Sequence, residues 1–200
     1  MIDWVVLTES LGSSWWLYLI LMSVSLLDSF LPLIPSEPVI ILAGVFAATG
    51  ATNLALVIVA TSVGAFLGDQ IPYAFGRGLG GRVLKRLRPG TRRRATHDWL
   101  SRNLDARGGF VLVSTRFIPV GRYLVTITTG MVRYSYRRYV LFTAIGGTAW
   151  GAYTVMTGYV GGVLFQDNAL LAFLVGIGLA VLVSGVMEVI RRVRARDAVA

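Results

Sequence analysis

Long apolar runs, separated by short polar or basic stretches, dominate the chain. An α-helix needs about 20 apolar residues to cross a hydrocarbon core of roughly 30 Å, and several runs reach that length. The pattern therefore predicts an all-α integral membrane protein that forms a single membrane domain over residues 1–200. Four of the runs are predicted to be spanning helices: residues 13–31, 53–76, 139–163 and 170–190.

Two further apolar segments contain residues that break helices. Prolines occupy positions 32, 35 and 38 in residues 29–49, and Pro119 and Gly121 lie between two arginines in residues 109–132. Proline disrupts a helix interior, and non-helical backbone at membrane depth is tolerated only where protein or a water-filled cavity covers it. We therefore predict that each segment is a re-entrant helical hairpin.

Basic residues are concentrated in segments that flank the apolar runs. The positive-inside rule places such segments in the cytoplasm, so residues 77–107 are predicted to be a cytoplasmic basic loop and residues 191–200 a cytoplasmic tail. Apolar residues at helical spacing in the second half of the loop predict an amphipathic surface helix that ends at Gly108–Gly109. Residues 133–138 are also basic and are therefore expected on the cytoplasmic side. The segment between this stretch and the basic loop must then enter and leave the membrane on the cytoplasmic face, as a hairpin does.

The two hairpins and the helices that follow them resemble each other. Each hairpin precedes a glycine-rich helix, and the two units would enter from opposite faces, which makes an inverted repeat of the kind that transporters use. Glycines at helix contacts could produce the same likeness by packing alone. Counting the crossings back from the tail places Asn53 outside and the N-terminus inside. In the helix over residues 53–76, Pro72 predicts an interruption.

Composition supports a membrane protein and narrows its chemistry. The chain is 55% hydrophobic and 14% charged, with a mean hydropathy of +0.68, whereas soluble domains are about a quarter charged. The net charge of +9 arises in the basic segments, so we expect contact with membrane lipids and no nucleic-acid binding. With no cysteine and one histidine, His97, we expect no metal site, no cofactor and no covalent catalysis. Small residues over 144–162 and 176–185 could support a homo-oligomer, or could pack within one chain.

Five ionisable residues lie inside apolar segments: Asp28, Glu37, Asp69, Arg116 and Arg122. A charge inside a bilayer is costly, so such residues usually face a cavity and a partner. Because a guanidinium binds phosphate through a bidentate fork, we predict that Arg116 and Arg122 form one phosphate clamp. Glu37, Asp69 and Asp28 are predicted to exchange protons, although Asp28 could instead cap the first hairpin. The alternative is that the five residues form internal ion pairs that hold the hairpins together.

Several spaced motifs resemble those of the DedA family, also called SNARE-associated or VTT-domain proteins. They are found at Asp28 to Glu37, at Gly64 to Gly80, and at Arg116 to Arg122 followed by Gly130. The chain departs from the family pattern at Asp28-Ser29, where Glu-Asn is more frequent. The resemblance implies two re-entrant hairpins in inverted orientation, a location in the bacterial inner membrane, and movement of undecaprenyl phosphate or phospholipids.

These observations predict a secondary transporter that returns undecaprenyl phosphate, or a related polyprenyl phosphate, across the bacterial inner membrane with proton coupling. The expected partners are the membrane and a lipid with a phosphate headgroup. Three alternatives stay open: a glycerophospholipid scramblase or flippase, an enzyme that acts on the lipid phosphate, and a structural or assembly factor that transports nothing.

Overall fold

The computed structural model describes residues 15–31, 36–86, 90–116, 119–165 and 178. Within these residues it contains six α-helices and no strand: α1 (Trp15–Phe30), α2 (Glu37–Ala48), α3 (Leu54–Arg86), α4 (Arg92–Thr115), α5 (Pro119–Met131) and α6 (Tyr136–Leu164). The all-α class predicted from the sequence is confirmed for this part of the chain. The predicted helix over residues 170–190, apart from residue 178, and the tail over residues 191–200 lie outside the described residues.

One described segment, Leu54–Gly80 within α3, is long and apolar enough to cross a membrane. Shorter apolar stretches fill α1 and α2. Along one face of α3, large hydrophobic side chains recur every three or four residues and stay exposed: Leu56, Val59, Val63 and Leu67. An exposed apolar stripe of this kind is suited to contact with lipid. The number of crossings stays a prediction.

Tertiary contacts divide the chain into two compact units. The described residues of unit 1 are 15–17, 37–57, 153–165 and 178. Those of unit 2 are 18–31, 36, 58–86, 90–116 and 119–152. Three helices, α1, α3 and α6, contribute residues to both units.

In unit 2, α1 packs closely against α3 because α3 offers glycines at the contact. A Cβ atom at Gly64 would overlap the backbone of Met22, and one at Gly68 would overlap the backbone of Leu26. A step of four residues along α3, from Gly64 to Gly68, corresponds to a step of four residues along α1, from Met22 to Leu26. The two helices therefore run in the same direction. Our count of crossings predicts opposite directions for these helices, and that prediction is wrong.

The helix α5 also packs against α3 in unit 2 through glycines. Gly76 lies against the backbone of Ile127, Gly80 against that of Met131, and Gly130 against that of Tyr73. Helix α5 contacts α4 as well. The arginine-containing break between α4 and α5 is therefore anchored to α3 on one side.

Unit 1 contains a glycine contact with the same register between α2 and α6. Gly44 lies against the backbone of Val155, Gly158 against that of Ile41, and Gly162 against that of Val45. The α2–α6 contact and the α3–α5 contact share one pattern. One helix contributes a glycine, the residue three positions before that glycine and the residue directly after it. The other helix contributes two glycines that lie four residues apart.

Two helices continue through positions that we predict to interrupt or end them. Helix α3 passes through Pro72, because α1 and α5 pack along it and tertiary packing overrides the local cost of proline. Helix α4 continues through Gly108–Gly109 to Thr115. A Cβ atom at either glycine would overlap the ring of Tyr134 or Phe142, so these glycines make room for aromatic packing. The predicted basic loop is consequently mostly helix, in the end of α3 and the start of α4.

Gly76→Ala and Gly78→Ala are a matched pair of substitutions in α3. A Cβ atom at position 76 would overlap the carbonyl oxygen of Ile127, whereas nothing lies within 4 Å of one at position 78. We expect Gly76→Ala to destabilise the fold by about 1–3 kcal/mol through overpacking. Gly78→Ala should be neutral, or should stabilise by up to about 1 kcal/mol through helix propensity. Thermal unfolding in detergent measures both, and equal midpoints would contradict the α3–α5 contact.

Candidate functional site

The break between α4 and α5 positions two buried arginines. Arg116 follows the last turn of α4, where its backbone N–H donates to the carbonyl oxygen of Val113. Pro119 begins α5, a position at which its missing N–H costs no helical hydrogen bond. Arg122 lies in the first turn of α5. The two arginines are only 4% and 6% exposed, so their charges need partners inside unit 2.

Each arginine has an aspartate as its partner. Nη1 of Arg116 donates to Oδ2 of Asp69 on α3, and both side chains are almost fully buried. Nη1 of Arg122 lies 3.5 Å from Oδ2 of Asp28 on α1, and its Nη2 donates to the backbone carbonyl oxygen of Asp28 at 2.7 Å. Asp69 also interacts electrostatically with Arg122. The four charges therefore form one electrically balanced cluster within unit 2.

Two aromatic residues of α6 support the Arg116–Asp69 pair. The hydroxyl of Tyr139 donates to the backbone carbonyl oxygen of Asp69 at 2.6 Å. The Cζ atom of Arg116 lies 5.4 Å from the ring centroid of Trp150, in range of a cation–π contact. The sequence analysis singles out neither Tyr139 nor Trp150, since aromatic residues in an apolar helix give no signal that separates packing from contact with a charge.

Several polar atoms of the cluster are buried without a hydrogen-bond partner: Nε and Nη2 of Arg116, Nε of Arg122, and Oδ1 of Asp69. Nε and Nη2 form one edge of the guanidinium, the edge that binds a carboxylate or phosphate through two parallel hydrogen bonds. Nη1 on the other side is occupied by Asp69. Arg116 thus keeps this edge without a hydrogen-bond partner while its Nη1 is paired with Asp69.

Four of the five residues singled out in the sequence come together here. Arg116, Arg122 and Asp69 belong to one cluster. The ion pairs in it agree with the alternative of internal pairing, and the phosphate clamp stays a prediction. Asp28, which we considered as a cap, pairs with Arg122. The fifth residue, Glu37, is half-buried at the start of α2 in unit 1, and its proton-exchanging role stays a prediction.

A double-mutant cycle on Asp69→Asn and Arg116→Gln tests the pairing. Removing one partner of a buried ion pair leaves an uncompensated charge, so we expect each single substitution to destabilise the protein by about 3–5 kcal/mol. The double substitution should cost less than the sum of the two, because no unpaired charge remains. Thermal unfolding at increasing denaturant concentration gives the free energy of unfolding of each variant. If the losses of the two single variants add up to the loss of the double variant, the ion pair is contradicted.

Comparison with known proteins places the chain among membrane proteins. The model of the VTT domain matches residues 34–160. DedA of Escherichia coli K12 is 29% identical over 187 residues, which cover 90% of this chain and 85% of that protein. The inner membrane protein YohD of the same strain is 25% identical over 126 residues, 63% of this chain and 64% of its own length.

A third relative has a name that states its substrate. The undecaprenyl phosphate transporter A of Staphylococcus aureus is 27% identical over 143 residues, 66% of this chain and 68% of that protein. No solved structure matches the chain at a significant level. Because the VTT domain covers more than half of the sequence, in agreement with the motifs around Glu37, Asp69 and Arg116, the chain belongs to the VTT-domain (DedA) family.

Proposed function

We propose that this protein is a secondary transporter that returns undecaprenyl phosphate, or a related polyprenyl phosphate, to the cytoplasmic leaflet of the bacterial inner membrane. The observation that carries the proposal is the free bidentate edge of Arg116, buried beside Asp69, a carboxylate that also interacts electrostatically with Arg122. The likeness to a transporter named for undecaprenyl phosphate adds support. The headgroup crosses without any covalent change while the isoprenoid tail stays in the lipid.

The phosphate binds by joining the ion pairs and then loosening them. Two of its oxygens accept hydrogen bonds from Nε and Nη2 of Arg116, and a third oxygen accepts from Nε of Arg122. The new negative charge competes with Asp69 and Asp28 for the guanidiniums. A carboxylate that loses its cationic partner in a buried place takes up a proton more readily, which couples headgroup binding to proton uptake. Glu37 is the third residue proposed to exchange protons.

The re-entrant hairpins and the inverted repeat are part of this proposal. The shared register of the two glycine contacts, Gly44 with Gly158 and Gly130 with Gly76, supports a repeat that has the same helix packing in each half.

Arg116→Lys tests the bidentate edge, and Arg138→Lys is its matched control on the exposed start of α6. Lysine keeps the charge that pairs with Asp69 but lacks the planar fork. Loss of one charged hydrogen bond is worth about 1.5–3 kcal/mol, so we expect undecaprenyl phosphate binding to weaken roughly ten- to a hundredfold. Translocation of the lipid in proteoliposomes should fall with it, while Arg138→Lys should match the parent.

The same assay separates the proposal from its alternatives. Unchanged translocation by Arg116→Lys would refute the bidentate edge as the phosphate site. Equal movement of glycerophospholipids would favour a scramblase, and a change in the mass of the recovered lipid would reveal an enzyme. If the parent moves no lipid at all, a structural or assembly role takes precedence.

Proton coupling predicts a response to a pH gradient. With the lipid supplied on the face opposite the basic segments, acidifying that face should accelerate its return, because a carboxylate must take up a proton as the headgroup binds. Asp69→Asn cannot take up this proton, so its translocation should depend less on the gradient. If translocation by the parent protein does not respond to the pH gradient, proton coupling is contradicted. That result would not contradict the proposed phosphate site.

A further inference from the structure

The turn between α5 and α6 contains a backbone conformation that arginine rarely adopts. Arg133 has a φ of 56°, and in the part of the chain that the structure describes it is the one residue other than glycine with a positive φ. The backbone N–H of Tyr134 donates to the carbonyl oxygen of Thr129 at 3.1 Å, as in the usual glycine-containing end of a helix. A Cβ atom is unfavourable at the left-handed position. The exposed side chain of Arg133 is therefore present at a cost to stability.

A second arginine beside this turn is also placed against a local preference. Arg137 lies in the first turn of α6, which contains no acidic residue and where the helix dipole disfavours a cation. The sequence has no aspartate or glutamate between residues 106 and 166. The ion pairs among the described residues involve neither Arg133 nor Arg137. The positive charge of the turn is therefore not neutralised by any residue that the structure describes.

Tyr73 of α3 holds a third arginine at the same place. Its hydroxyl donates to the carbonyl oxygen of Tyr134 at 2.9 Å and accepts from Nη1 of Arg77 at 2.8 Å. The ring centroids of Tyr73 and Tyr136 lie 5.6 Å apart. The two arginines of the turn are the chain neighbours of the two tyrosines that contact Tyr73. Three exposed arginines are thus concentrated in one part of unit 2, which we name the arginine corner: Arg77, Arg133 and Arg137.

An exposed apolar stripe begins next to the arginine corner on α6. Leu141 and Ile145 follow Arg137 at intervals of four residues, so the three side chains lie on one face of the helix. The leucine is 55% exposed and the isoleucine 49%. Tyr136 at the same end is also exposed, as is common for tyrosine at the boundary between headgroups and lipid tails. A charged corner joined to an apolar stripe fits a phospholipid, whereas a soluble anion would use the charged corner alone.

We propose that the arginine corner binds the phosphate of an anionic phospholipid of the bilayer, with its acyl chains along Leu141 and Ile145. Guanidinium groups form strong, charge-assisted hydrogen bonds with phosphate, and a headgroup of negative net charge is attracted to the basic corner. The left-handed φ of Arg133 is the observation that carries the inference, because glycine would suit the turn better but would supply no charge. The site uses exposed arginines, unlike the buried cluster of Arg116, and the inference does not rest on the proposed transport.

Arg133→Gly separates the side chain from the backbone conformation. Glycine relieves the strain at this position, so the variant should unfold at the same temperature as the parent or at a higher one, although it lacks one arginine of the corner. Arg137→Gln removes a second charge from an exposed position. Arg102→Gln is the matched control, because it removes one charge from an exposed position on α4 in the same unit, outside the corner.

Native mass spectrometry of the purified protein in an uncharged detergent compares its binding of two lipids. Phosphatidylglycerol carries a net negative charge and phosphatidylcholine carries none, so we expect the parent to retain phosphatidylglycerol in preference. One arginine near a membrane surface is worth roughly fivefold in affinity. Arg133→Gly and Arg137→Gln should therefore each weaken phosphatidylglycerol binding about fivefold, and the double variant about 30-fold. Arg102→Gln should bind this lipid like the parent.

Four results would overturn the site. Unchanged binding of phosphatidylglycerol by the double variant, or equal retention of both lipids by the parent, would show that the corner does not select an anionic lipid. An equal loss of binding in Arg102→Gln would show that net charge alone attracts the lipid. Displacement of the lipid by glycerol phosphate would assign the corner to a soluble anion. A lower unfolding temperature of Arg133→Gly would show that the arginine side chain stabilises the turn, which would remove the basis of the inference.

These measurements contain no undecaprenyl phosphate. A protein that binds phosphatidylglycerol at the arginine corner and moves no lipid in proteoliposomes would refute the transport proposal alone. A protein that translocates undecaprenyl phosphate and shows any of the four results above would refute the arginine corner alone.

Discussion

The pairing of Arg116 with Asp69 and of Arg122 with Asp28 is the constraint on which the rest of unit 2 depends. An isolated charge in an apolar interior costs several kcal/mol, whereas a matched pair with further hydrogen bonds is tolerated. The partners come from α1, α3, the end of α4 and the first turn of α5, so these parts of the chain must meet closely. Any shift between these helices separates charges that have no access to bulk water.

Glycine makes this close meeting feasible. At Gly64, Gly68 and Gly76, the backbones of neighbouring helices occupy the space that a Cβ atom would need. Membrane helices gain little from apolar burial against each other and associate through close packing and polar contacts, so small residues at the crossings have a large effect. The result is a closely packed frame around a polar interior. One edge of Arg116 remains without a hydrogen-bond partner in that interior.

Much of the chemistry could be predicted from the sequence, because a charged residue in an apolar run is conspicuous. The five ionisable positions, the break near Pro119 and the family all follow from local patterns. The pairing of each arginine with its own aspartate could not be predicted, since it depends on the register in which α1 meets α3 at Gly64 and Gly68. The relative direction of α1 and α3 was mispredicted, because it depends on how the two helices pack and a count of crossings from basic segments does not contain that information. The continuity of α3 through Pro72 likewise depends on tertiary packing.

Our central proposal is that a lipid phosphate binds the guanidinium edge of Arg116 that Asp69 leaves free. Solid-state NMR measures this contact directly, as the dipolar coupling between ¹⁵N in the arginine guanidiniums and ³¹P of bound undecaprenyl phosphate in bilayers. Comparison of the parent with Arg116→Lys assigns the coupling to Arg116. The account predicts a strong coupling in the parent that is largely lost in the variant. A phosphate signal from bound lipid that shows no coupling to Arg116 would contradict it.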